Sequence, residues 1–136
     1  MKALLLLFSF SLLYANACGG GTDPEDADDF TIGQSFTLEP GQRVVNRTAG
    51  LEVTWQEVSE DSRCPKNANC VWEGQAVVNL LVNGEAVALT LRQGKPEQAQ
   101  RMVANYVFTA EELSPYPEGE QIEADAYRLQ LMVSSL

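Results

Sequence analysis

The sequence predicts an all-β fold, a two-layer antiparallel sandwich of about seven strands and Ig-like character, with a small closed barrel as the runner-up. Two observations carry this. From Thr31 onward, short runs of alternating apolar and polar residues are separated by turn residues, which is the period-2 signature of strands with one buried face. Within them, Asn83-Gly84 sits between two apolar runs, and that dipeptide supplies the positive φ that a type I′ hairpin turn needs at both central positions.

Taken in order, Phe36 and Leu38 alternate before Glu39-Pro40-Gly41-Gln42, where Pro followed by Gly marks a turn. A short strand around Val44-Val45 follows. Leu51, Val53 and Trp55 alternate with Glu52, Thr54 and Gln56, which makes Trp55 a core residue. The apolar phase then slips to Val58, so a bulge is expected near Gln56-Glu57. Ala76 to Val82 is apolar on both phases, as in a strand covered on both faces, and Ala86 to Leu91 returns from the hairpin. A strand is expected from about Met102 to Phe108, then one turn over Thr109-Ala110-Glu111-Glu112, which has the form of a helix capping box. Ser114-Pro115-Tyr116-Pro117 is extended or turned, because a residue before proline is pushed out of the helical region. Tyr127, Leu129, Leu131 and Val133 form the closing strand.

The amino terminus reads as an export signal. Met1-Lys2 precedes the apolar run Ala3 to Leu13 and the small-residue end Ala15-Asn16-Ala17, and the run is too short to span a bilayer. Cys18 follows at once, before three glycines. This arrangement resembles a bacterial lipoprotein signal, in which the cysteine becomes the lipidated first residue of the mature chain; Ala15 stands where that pattern usually has leucine. Ala15-x-Ala17 also satisfies the rule for ordinary signal cleavage at the same bond, and cysteine parity favours the lipidated form. If Cys64 and Cys70 pair, Cys18 is left over and lipid attachment gives it a use. The expected organisation is therefore a signal over 1–17, a lipidated cysteine and acidic Gly/Asp-rich tether over 18–30, and a β-domain over 31–136. The location that follows is the cell envelope, with the membrane reached through the lipid anchor.

The formal net charge is −10, which disfavours nucleic acid, whose phosphates require clustered Lys and Arg. The run Asp23-Pro24-Glu25-Asp26-Ala27-Asp28-Asp29 lacks the central glycine and late glutamate of an EF-hand loop, so it reads as a self-repelling tether rather than a calcium site. The chain has no histidine. That removes Ser-His and Cys-His nucleophilic pairs and most zinc sites. No cofactor, no metal and no catalysis are expected, and a small envelope hydrolase or redox protein is the alternative.

Cys64 and Cys70 in an exported chain are expected to form a disulfide. A redox dithiol normally uses a two-residue spacing, and a metal site needs further ligands. By the loop-entropy model, closing a ring of about seven residues stabilises the fold by roughly 2.4 kcal/mol. Trp72, two residues beyond, either lies on the cystine as a lid, the favoured expectation, or stands out as a binding anchor. Arg63, Lys66 and Glu73 are expected to form a solvated rim around it. These four residues are the candidate binding site.

Ser62-Arg63-Cys64-Pro65, then Cys70-Val71-Trp72 with Gly74 and Ala76, then Leu113-Ser114-Pro115-Tyr116-Pro117 and Tyr127-Arg128-Leu129 resemble a widespread group of small bacterial secreted proteins and lipoproteins. The resemblance covers about residues 38 to 133. It implies the β-domain and the exported location, and it implies no mechanism. The expected function is binding or structural presence in the envelope, toward a protein or glycan partner.

Overall fold

The computed structural model describes residues 27–136. The expected signal, Cys18 and the tether up to residue 26 lie outside the described residues. Nine strands are present among those described: β1 (Asp28–Asp29), β2 (Ser35–Leu38), β3 (Arg43–Asn46), β4 (Leu51–Asp61), β5 (Ala76–Val82), β6 (Glu85–Leu91), β7 (Gln100–Val103), β8 (Tyr106–Ser114) and β9 (Arg128–Ser135). They form two sheets, ordered β1-β3-β4-β5-β6 and β2-β9-β8-β7. The sheets remain separate, so the fold is a sandwich and not the closed barrel. All pairings are antiparallel except β1 with β3.

The core lies between the sheets and follows the alternation in the sequence. Val53 and Trp55 of β4, Val78 and Leu80 of β5, Phe108 of β8, and Leu129, Leu131 and Val133 of β9 are fully buried. Each such side chain contributes about 1.5–3 kcal/mol relative to an exposed position. Trp55 satisfies its indole N–H by donating to the Glu57 carbonyl at 3.2 Å. The register of β4 on β5 shifts between Trp55 and Glu57, where the phase slip places a bulge, and again between Val58 and Glu60. Asn83 and Gly84 both have positive φ, 48° and 81°, and join β5 to β6 as the type I′ turn requires.

Four expectations are corrected. Asp28, Asp29 and Phe30, assigned to the tether, belong to the fold: Asp28 and Asp29 pair with Val44 and Val45, and Phe30 is buried and stacks on Phe36 at 4.8 Å. β5 is covered on its inner face only; Val77, Asn79 and Leu81 on the outer face are half-buried, because no second layer lies outside an antiparallel sandwich sheet. The single strand expected over 102–108 is a hairpin, β7 turning into β8 at Ala104-Asn105, with Ala104 at φ 53°. Finally, Thr109 to Glu112 is strand and not a helical turn. A bulge between Ala110 and Glu112 inserts one residue, so buried Ala110 and Leu113 are separated by two exposed glutamates. That three-residue interval imitates a helical period.

Left-handed backbone at Ala104 costs an L-residue about 1–2 kcal/mol, against about 0.5–1 kcal/mol for the added chain entropy of glycine. Ala104→Gly is therefore expected to stabilise the fold by up to about 1 kcal/mol, read as a melting temperature raised by several degrees. An unchanged or lower melting temperature would contradict this account of the turn.

Candidate binding cleft

The chain between β4 and β5 is held tightly although it is mostly without regular structure. Ser62 N–H donates to the Gln75 carbonyl at 2.8 Å and Cys64 N–H to the Glu73 carbonyl at 3.0 Å, which prolongs the β4–β5 ladder beyond the strands. Gly74 makes this close approach possible. It sits at φ 67°, and a Cβ there would stand 1.8 Å from the Ser62 carbonyl oxygen. Cys64 and Cys70 are joined as a disulfide with their Cα atoms 5.9 Å apart, closing the tip of the loop.

Arg63 departs most from expectation. Its side chain is only 9% exposed, as is that of Asp61, so it is no part of a solvated rim. Its Nε donates to Asp61 Oδ1 at 2.8 Å and its Nη2 to Asp61 Oδ2 at 2.6 Å, a bidentate pair. The remaining donors cross to the other sheet: Nη1 to the Leu113 carbonyl at 2.6 Å and Nη2 to the Pro115 carbonyl at 3.1 Å. The guanidinium carbon lies 5.0 Å from the centre of the Tyr116 ring. Tyr127, just before β9, donates its hydroxyl to Asp61 Oδ2 at 2.9 Å. Arg63 is thus a clamp between the sheets. Removing one partner of this half-buried pair would leave the other charge uncompensated.

The stapled loop also rests on the segment after β8. Lys66 N–H donates to the Pro117 carbonyl at 3.1 Å, Asn67 Nδ2 to the Glu118 carbonyl at 3.1 Å, and Lys66 Nζ pairs with Glu118 at 3.0 Å. Three separate stretches of sequence therefore converge here, around Arg63, around Leu113-Ser114-Pro115-Tyr116, and at Tyr127.

Beside the clamp, β7 stops at Gln100 opposite Thr109, whereas β8 runs on beside β9 to Ser114. The gap left by β7 opens into a cleft of about 790 Å³. Its floor includes Leu91, Ala99, Ala110 and Leu113, and its sides carry Glu73, Arg92, Glu111, Glu112 and Tyr116. Glu73 pairs with Arg92 at 3.2 Å; its own backbone N–H and Arg92 hold its carboxyl below the usual range. Arg92 in turn lies over Trp72, 5.7 Å from the ring centre. Trp72 is 51% exposed and Val71 fully exposed, so the expectation that Trp72 covers the cystine as a lid is replaced by an open indole partnered by Arg92. Tyr116 is 42% exposed.

Of the four residues singled out from sequence, Glu73 and Arg63 line this cleft and Trp72 borders it through Arg92. Lys66 instead lines a neighbouring cleft of about 850 Å³ on the far side of Tyr116. Sequence reasoning missed Arg92, Glu111, Glu112 and Tyr116. Comparison with protein-family models, with curated proteins and with solved structures finds no match. No group of three or more acidic, histidine or cysteine residues suited to a metal ion occurs among the described residues.

Burial pushes the Asp61 carboxyl up, but the bonds from Arg63 and Tyr127 and the charge of Arg63 outweigh it and hold Asp61 below the usual carboxylate range. Burial, with the bond to Asp61 and its charge, pushes the Tyr127 hydroxyl up to about 12. A depressed acid contributes stability above its unfolded value near 4, lost as pH falls through its folded value; a raised phenol contributes below its unfolded value near 10, lost as pH rises toward the folded one. Melting temperature is therefore expected to fall on both flanks of a plateau between about pH 4 and 10. Tyr127→Phe should lower the plateau and remove the phenol's part of the alkaline loss between pH 10 and 12; an unchanged alkaline flank would exclude Tyr127 as its source. Gly74→Ala should cost more than about 3 kcal/mol by denaturant titration, since the colliding atom is backbone and cannot turn aside.

Proposed function

We propose that this chain is an exported, lipid-anchored β-sandwich of the cell envelope that acts by binding a protein or glycan partner at the corner formed by the stapled loop and the cleft, without catalysis. The observation that carries this reading is the half-exposed Trp72, held at the cleft by Arg92 on a loop fixed by a disulfide, a glycine-dependent ladder and the hydrogen bonds of Arg63 to the Leu113 and Pro115 carbonyls. A rigid, exposed aromatic beside a cleft of ligand size is the arrangement that binding anchors use. The anchoring part rests on Cys18 after Ala15-Asn16-Ala17 and on the pairing of the other two cysteines, which leaves Cys18 odd. The lack of histidine in the chain, and the engagement of Asp61, Arg63 and Tyr127 with one another, support binding over hydrolysis.

Two measurements test the two halves of this reading. The native protein should carry a lipid-sized mass on a peptide beginning at Cys18 and partition into detergent, and Cys18→Ser should abolish both. Trp72→Ala should weaken retention of an envelope partner by about thirtyfold, a loss of about 2 kcal/mol, with the melting temperature near that of the unaltered protein. A large loss of stability with retention unchanged would make Trp72 a structural residue.

A further inference from the structure

The cleft carries enough chemistry to specify the kind of partner. Its two arginines are already engaged. Arg63 is held by Asp61 and two carbonyls, and Arg92 by Glu73 and the Trp72 face. Neither has its charge left over for an anionic ligand. Glu111 and Glu112 also line the cleft, both are exposed, and neither takes part in the ion pairs described above. Their juxtaposition is a product of the β8 bulge, because regular alternation would send neighbours to opposite faces and the inserted residue leaves both on the outside. The cleft therefore combines an apolar floor, the open Tyr116 ring with Trp72 at its border, and an uncompensated negative charge on one wall.

We propose, building on the binding reading above, that this cleft docks a basic, extended peptide segment of a partner protein, with lysine or arginine side chains against Glu111 and Glu112 and an apolar side chain on the floor at Leu91 and Leu113. Charge complementarity selects this occupant over a second copy of the chain, which carries a net charge of −10 and would bring its own Glu111 and Glu112. The same net charge draws a basic segment in from a distance and makes the association sensitive to salt. Trp72, which borders the cleft through Arg92, and Tyr116 in its wall are both exposed, and with the cleft volume they suit a chain segment better than a small amine.

The test uses the full-length protein in detergent and three probes: a nine-residue peptide alternating lysine and valine, its counterpart with glutamate for lysine, and a neutral N-acetylglucosamine tetramer. Fluorescence anisotropy should show the lysine peptide binding, with affinity falling as salt rises, and no binding of the glutamate peptide. The double variant Glu111→Gln, Glu112→Gln should bind the lysine peptide at least about tenfold more weakly while melting as the unaltered protein does. Equal binding of both peptides, or no effect of the double variant, overturns the proposal, as does binding of the tetramer alone, which would make the site a glycan site. If the lysine peptide fails while Trp72-dependent retention of an envelope partner persists, the charge assignment falls and the binding reading stands. If that retention is also independent of Trp72, both fall.

Discussion

The corner where the two sheets meet depends on one guanidinium. Arg63 leaves the end of β4 and is held between the sheets by Asp61 of its own sheet and by the Leu113 and Pro115 carbonyls of the other. A charge taken out of water is tolerated only when nearly all its hydrogen-bonding capacity is used, and four bonds together with the Tyr116 face meet that demand. Because a guanidinium is planar and its donors diverge at fixed angles, satisfying it fixes the distance between the two sheets and the path of the chain through Leu113 to Tyr116. The Tyr127 hydroxyl on Asp61 extends the same constraint to the start of β9.

Much of the surrounding architecture supports that clamp. The bare Cα of Gly74 lets the β4–β5 ladder continue past Arg63, so the backbone presenting the guanidinium is itself hydrogen-bonded. The Cys64–Cys70 disulfide shortens the free part of the loop, and Lys66 and Asn67 seat it on residues 117–118. The consequence for function is rigidity. Trp72, Tyr116 and the walls of the cleft project from a corner tied at several points, so a partner of the kind proposed would not have to order a floppy loop at its own cost.

How much was legible follows the range of the interactions. Trp55 in the core, the Asn83-Gly84 turn, the bulge after Trp55 and the closing strand through Val133 are local patterns, written in residues a few positions apart. The stretch Ala110-Glu111-Glu112-Leu113 misled for the same reason, since its interval of three is helical locally, and only pairing against β9 makes it a bulged strand. The Ala104-Asn105 turn carries no glycine, and its one turn-forming residue, Asn105, sits between the apolar residues Val103 and Tyr106, which continue a strand-like pattern. Arg63 read as a surface cation because its carbonyl partners lie 50 and 52 residues away. Nothing in the linear order joins Arg63 to the Leu113-to-Pro117 stretch or Asp61 to Tyr127.

By itself, then, the sequence determined the β class, the buried faces of the strands through Trp55 and Val133, the Asn83-Gly84 hairpin, the disulfide pairing and the unsuitability of the chain for histidine-based chemistry. Those properties depend on residue type and on periodicity. The tertiary structure alone decided that Arg63 is half-buried and spent between the sheets, that Trp72 is open, and that two adjacent glutamates share a cleft with Arg92 and Tyr116. These depend on where β7 ends, how far β8 continues and how the sheets meet, and such facts arise only when distant segments compete for the same space and the same hydrogen bonds. The corner first marked out by two cysteines and a tryptophan is, in three dimensions, the joint between the two sheets.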